Sequence, residues 1–296
     1  MHVRVVIPHY FQELKAGEQI EVGEGFGCRQ PGARQRRSIA FQQCLLGLIN
    51  LRRSRQQLIL DLVSAQPESF DMRAHAGLDE EISIEIVVVI HSQQTCLDAV
   101  LLSNHQYLRV LPCPSVDPQA LGLSARDYLI HHPDPADLNL YIEDDLVVHD
   151  YLFLDKLLGL AVATEYESVL MPHRYELLPV SHRSSKLLVD GHIEFEGACE
   201  WHVPEAGVFF NRFLGGQMIS FDRPANPHAG FFGLSKYQLE SIAHQELPLT
   251  GFVGPLETAA TLTPGSFFQI FKTSLSDASF FWIEHAFPSF LGYSRR

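Results

Sequence analysis

The chain lacks most signatures that would declare its chemistry at once. Its five cysteines (Cys28, Cys44, Cys96, Cys113, Cys199) are odd in number and scattered, with no C-x-x-C pair. That argues against both a disulfide framework and a structural zinc, and reads as core thiols of a reducing compartment. No apolar run approaches the roughly 18 residues of a membrane span. Met1 runs almost at once into the β-branched stretch 3–7, which leaves no room for a signal peptide, so a cytoplasmic protein is expected. Basic charge is scarce: 22 Lys and Arg stand against 35 Asp and Glu, for a net charge of −13. A nucleic-acid or anionic-membrane partner is therefore not expected as the main one. H-E-x-x-H, G-x-S-x-G and G-x-x-x-x-G-K-[ST] are all missing. There is no internal repeat and no clean linker, so 1–296 is expected to be a single domain with unequal halves, 1–150 and 151–296.

What is present is organised around Leu138-Asn139-Leu140-Tyr141-Ile142-Glu143-Asp144-Asp145, an apolar run that stops at three consecutive acids. Such a run reads as a buried strand, and the end of a strand is where open α/β sheets bind ligands. Three adjacent carboxylates repel one another unless a cation or hydrogen bonds neutralise them, and hard oxygen donors suit Mg²⁺ or Mn²⁺. The plain alternative is a solvated acidic loop capping the next helix. Before this point, 3–7 reads as a first strand closed by Pro8, followed by His9. Gly23, Gly25 and Gly27 lie in what reads as a plain loop. Residues 34–55 read as an amphipathic helix flanked by arginines, where Arg36 and Arg37 face a diphosphate or are solvated helix-end charges. Strands are expected at 57–63, 82–90 and 107–111, and helices at 95–105 and after Pro118. Strands alternating with helices imply a mostly parallel sheet. Beyond the acids come a helix at 151–163, a strand at 169–171, a hairpin about Asp190-Gly191, and irregular aromatic loops at 200–202, 212–216 and 222–230. A strand at 217–221, a helix at 234–244, a short helix at 254–262 and a strand at 267–271 complete the reading.

On three stretches the chain resembles a nucleotide-sugar glycosyltransferase of the GT-A fold, family 2-like. They are the opening strand ending at Pro8; Glu143-Asp144-Asp145 after the central strand; and the loop Asn226-Pro227-His228-Ala229-Gly230-Phe231-Phe232-Gly233 with Gly254-Pro255-Leu256-Glu257-Thr258. Glu143-x-Asp145 is similar to the D-x-D motif, departing by its first-position Glu. The resemblance implies an α/β, GT-A type three-layer sandwich with a central, mostly parallel twisted sheet. It further implies a sugar transferred from a nucleoside diphosphate sugar to a saccharide or other hydroxyl acceptor, with Mn²⁺ or Mg²⁺ as cofactor.

On that reading Pro8, His9, Arg36, Arg37, Glu143 and Asp144 bind the donor. Glu143 and Asp145 hold the metal, and His285, in Trp282-Ile283-Glu284-His285, completes its shell unless it is simply a satisfied histidine. Inversion at the sugar needs a base. Glu257 is the preferred one, ahead of Asp222, Glu240 and Glu196, although an acid in a first helical turn is also explained by the helix dipole. His228, Gly230 and Phe231 offer an aromatic face and close backbone approach to a sugar, unless the aromatics are core. Two rival readings remain: a metal-dependent hydrolase or nucleotidyltransferase, and a non-catalytic carbohydrate-binding protein of the same fold.

Overall fold

The computed structural model describes the chain except for residues 14–31, 73–80, 93, 101–107, 115–116, 192–201, 203–204, 213–217, 288 and 292–296, and over 206–212 only the backbone. The loop with Gly23, Gly25 and Gly27, together with Cys28, Glu196 and Cys199, lies outside the described residues.

The fold is mixed α/β around a central sheet. Its strands are β1 (His2–His9), β4 (Ser83–Ile90), β5 (Leu108–Pro112), β6 (Leu138–Ile142) and β13 (Phe231–Ser235), in the order β13-β6-β1-β4-β5. Four run parallel, and β13 closes one edge antiparallel to β6. β1, β6 and β13 and most of β4 are buried, as strands covered on both faces must be, while edge strand β5 is largely exposed.

Register shows the layers. Val6 lies beside Tyr141, and Tyr141 beside Phe232, so these three share a face. Gly122 of α2 (Leu121–Ile130) comes so close to the Tyr141 hydroxyl that a Cβ there would stand 2.9 Å from it. His9, three residues from Val6, points to the opposite face and stacks on Phe41 of α1 (Ala33–Ile49) at 4.3 Å. Phe231 belongs to that same face and meets Phe153 of α3 (Phe153–Ala163) edge-on. The sheet is thus sandwiched between α1 and α3 on one side and α2 on the other.

Two further sheets extend the second half. One has the order β10-β9-β15-β7, from β7 (Leu146–Val147), β9 (His173–Leu177), β10 (Lys186–Leu188) and β15 (Trp282–His285). The other has the order β11-β12-β14-β8, from β8 (Ser168–Leu170), β11 (Glu205–Arg212), β12 (Met218–Arg223) and β14 (Gln269–Thr273). One apolar core runs from Val3 in β1 to Ile283 in β15.

Several expectations change. Pro8 does not close β1, which continues to His9 in register with Val89 and Ile90. Residues 231–235, expected as loop and helix start, form β13, and helix α4 (Lys236–Ile242) begins only after them, capped by a reciprocal Ser235–Gln238 box. Position 233 of this strand is glycine because a Cβ there would meet Leu140 at 2.9 Å and Leu157 at 3.1 Å. The strand expected at 57–63 is β2 (Gln56–Asp61), which pairs outside the central sheet with β3 (Gln66–Asp71). In the 95–105 region the described part holds only a short 3-10 turn, Leu97–Ala99. β9 and β10 pair antiparallel, with Asp190 just beyond β10, while the second run of the hairpin expected about Asp190-Gly191, 192–196, lies outside the described residues.

Candidate functional site

The acids sit at the carboxyl ends of the parallel strands, where β6 leaves the sheet beside β1 and β13. Chain pairing then delivers their neighbours. β7 follows the acids at once and pairs antiparallel with β15, which sets His285 opposite Leu146 and next to Asp145. β9 runs parallel to β15 with Arg174 beside Ile283, and so carries Arg174 and Glu176 to the same place.

Each acid has a different environment. Asp144, buried, accepts from His9 Nδ1 and from Arg37 Nη2. His9 Nε2 in turn accepts the Cys96 backbone N–H at 3.1 Å, which fixes the tautomer with the proton on Nδ1. Asp145 accepts from Arg37 Nη1 at 2.7 Å and lies 3.6 Å from His285 Nε2. Burial alone would raise the Asp145 carboxyl, but Arg37 and His285 hold it far below the usual range. Glu143 has no such partner: burial, with Asp145 adding repulsion, pushes it up to about 7. Among the described residues, its Oε1 and the Asp145 Oδ1 are both buried without a hydrogen-bond partner.

His285 is held from behind. Its Nδ1 lies 2.8 Å from Glu176 Oε1, and the same carboxylate accepts the backbone N–H groups of Ser289, Phe290 and Leu291. Burial would lower the imidazole, yet Asp145 and Glu176 raise it to about 9. Phe287 lies over the Arg36 and Arg37 guanidiniums, 5.7 and 5.2 Å from ring centre to each. The charge of Arg174 reaches Glu143 and Asp145 while its guanidinium is anchored on Asp190. Asp190 also binds Lys272, which donates at 2.7 Å to the His228 carbonyl.

The second-half loops close on Glu143. Its N–H donates to the Gly230 carbonyl at 3.0 Å. Gly230 has φ +61°, and a Cβ there would lie 2.7 Å from the Glu143 carboxyl carbon. Gly230→Ala is therefore expected to cost about 1–3 kcal/mol through backbone strain and displacement of Glu143, read as a lower unfolding midpoint in urea. Glu257 stands in the first turn of Pro255–Glu257, which continues as a π-helical stretch, Thr258–Leu262. Fully buried Arg126 braces this segment by donating to Thr263 Oγ1 at 3.1 Å and to the Pro248 carbonyl. The Glu257 carboxylate adds to the repulsion on Glu143 and on Tyr141. π-helical insertions of this kind concentrate at functional sites.

The structure thus brings together Arg37, Glu143, Asp144, Asp145, His285 and Gly230. It corrects three placements. Pro8 is buried within β1, paired to Val89. His9 is fully buried with both nitrogens engaged, so it orients Asp144 and has no atom to offer a donor. Phe231 is a core residue with no exposed surface, packed on Phe153, and leaves no ring face for a sugar. His228 is partly buried and bonded through Nδ1 to Thr261 Oγ1 at 2.7 Å. Arg36 is exposed on α1 beside Phe287. Glu176, Arg174, Asp190 and Lys272 were missed from sequence; charged residues inside strand-like runs, as in His173-Arg174-Tyr175-Glu176-Leu177, were the available signal.

The two orphaned carboxylate oxygens, on Glu143 and Asp145, are hard ligands, and a histidine whose far nitrogen is fixed by a carboxylate is the usual second-shell arrangement. Among the described residues, however, no three such side chains already stand in ligating geometry. No helix among the described residues is long and apolar enough to cross a membrane.

No protein-family model matches the chain, and no curated protein does. Among solved structures it is similar to S. aureus TarS 1-349, with a TM-score of 0.42 and 11% sequence identity over 96% of this chain and 60% of that one. The chain thus spans about 60% of the length of that structure, and a likeness of this degree carries no argument about activity.

Proposed function

We propose that the protein is a GT-A type glycosyltransferase that moves a sugar from a nucleoside diphosphate sugar to a hydroxyl acceptor, a saccharide or other glycan. The observation that carries this reading is the pair of buried, unsatisfied carboxylate oxygens on Glu143 and Asp145, set at the carboxyl edge of a parallel sheet among Arg37, Arg174 and His285. Acids left short of partners beside several fixed cations suit a ligand that is itself a cation-bridged polyanion, as a diphosphate with its metal is.

Glu143, Asp145 and His285 would hold Mn²⁺ or Mg²⁺, which supplies charge neutralisation on the departing diphosphate. Arg37, forked across Asp144 and Asp145, holds both carboxylates aimed. His9 and Glu176 are positioning residues for Asp144 and His285. Glu257 would take the proton of the acceptor hydroxyl, and Gly230 lets the backbone pass close beside Glu143.

The rival hydrolase and binding-module readings share the acids but not the base. Donor turnover that depends on an added acceptor supports transfer. Release of free sugar at the same rate with and without acceptor would instead indicate hydrolysis. A complementary variant, Arg37→Ala, is expected to weaken nucleotide binding about 10- to 100-fold, because it removes the counter-charge that holds both aspartates in place. Titration calorimetry checks it, and unchanged affinity would count against the assigned pocket.

A further inference from the structure

Among the described residues the β2–β3 hairpin is paired with no other strand, and most of its residues are exposed on both faces. An isolated two-stranded ribbon is marginal in water. Yet this one carries Leu58-Ile59-Leu60 in succession, with Leu58 69% and Leu60 58% exposed. Chain pairing decides what completes it.

The Met72 N–H donates to the Arg55 carbonyl at 2.8 Å, so Arg55 and Met72 form a hydrogen-bonded pair. In an antiparallel ladder such pairs alternate. With Gln56 facing Asp71 and Leu58 facing Ser69, residues 57, 59 and 61 point their N–H and C=O groups inward to β3. Residues 56, 58 and 60 point theirs outward. On β3 the outward set is 67, 69 and 71, and it includes Pro67, which has no N–H to give. The β3 edge is therefore blunted, whereas the β2 edge has every donor and acceptor and no proline or lysine.

We propose that β2 pairs with β2 of a second copy of this chain, antiparallel about a two-fold axis at Leu58, giving a four-stranded intermolecular sheet of order β3-β2-β2-β3. This register uses the outward groups: Leu58 exchanges both backbone bonds with the partner subunit's Leu58, and Gln56 with the partner subunit's Leu60. It also sets Arg55 opposite the partner subunit's Asp61, twice by symmetry, in the closer, non-hydrogen-bonded kind of pair. Asp61 bonds to the Val63 and Ser64 N–H groups of its own turn, which holds its carboxylate in place at that position. A slip of one residue would lose this complementarity and put inward groups at the interface. The inference does not depend on the enzymatic reading.

Sedimentation velocity of the full chain across a 100-fold concentration range tests it, with circular dichroism to confirm folding. The wild type is expected to be a reversible dimer. Leu58→Pro removes the outward donor at the axis, and Leu58→Lys sets two like charges against each other there; each is expected to raise the dimer dissociation constant at least tenfold. Arg55→Glu should weaken it in the same direction. Leu58→Cys should form a covalent dimer under mild oxidation, one not formed by the wild type or by Glu68→Cys on the opposite strand. A wild type that stays monomeric throughout overturns the proposal, as does a dimer indifferent to both Leu58 substitutions. Flotation of the monomer with neutral phosphatidylcholine vesicles, lost in Leu58→Lys, would overturn it too by assigning the hairpin to a lipid surface.

Discussion

Asp190→Ala is expected to be the most destabilising single substitution away from the apolar core, costing about 3–5 kcal/mol and lowering the melting temperature by about 10 °C in scanning calorimetry. The Asp190 side chain is 1% exposed and accepts from the Arg174 backbone and guanidinium and from Lys272, whose side chain is also 1% exposed. Removing the carboxylate leaves two buried cations facing each other. The Lys272 contact also ties the 226–230 loop to β14, so the damage spreads to Gly230 and Glu143. Asp190→Asn, which keeps the shape and part of the bonding, should fall between the two. The pH dependence has a definite sign. Burial would raise the Asp190 carboxyl, but Arg174 and Lys272 hold it well below the usual value. Its contribution is then fully present above the unfolded-state value of about 4 and is lost as pH falls below that. The stability gap between wild type and Asp190→Asn should be flat from pH 5 to 8 and shrink below pH 4. A cost under about 1 kcal/mol would mean the cluster is not formed as described.

Glu257→Gln is expected to lower donor turnover about 10²- to 10⁴-fold with nucleotide affinity and melting temperature nearly unchanged, because a base acts on the acceptor and not on the diphosphate. The amide keeps the shape of the first helical turn while losing the ability to take a proton. The competing acids are placed less well. Glu240 pairs loosely with Lys236 on the outside of α4, its side chain 54% exposed. Asp222 accepts from Ser274 within the β12–β14 pairing. Steady-state kinetics with saturating acceptor make the comparison. Unimpaired turnover in Glu257→Gln would remove it from the reaction and leave its position explained by the helix dipole alone.

The central strand and its acids could be read from sequence because an apolar run that stops at three carboxylates is a local pattern. The partners of those acids were not local. His285 reaches Asp145 only because β15 pairs with β7 and β9, and nothing in Trp282-Ile283-Glu284-His285 specifies that register. Arg37 was expected to face a diphosphate or to be a solvated helix-end charge, and the structure sets it on Asp144 and Asp145, since a helix entrance read alone does not say which anion it meets. Gly230 and Gly233 suggested an irregular loop. One serves a positive φ, while the other lets β13 pass against Leu140 and Leu157, a packing demand that sequence spacing does not reveal. Likewise Pro67 hid β3, because a proline argues against a strand except at an edge, and the edge appears only once the sheet is assembled.

The most direct test of the proposed activity is calorimetric titration of UDP, and separately GDP, into the protein with Mn²⁺ and with chelator, repeated on Asp145→Ala after its fold is confirmed by circular dichroism. The expected result is metal-dependent binding of one nucleotide that disappears in the variant. Binding of neither nucleotide, or equal binding with chelator and in Asp145→Ala, would contradict the assignment of Glu143, Asp145 and His285 to a metal-bridged diphosphate.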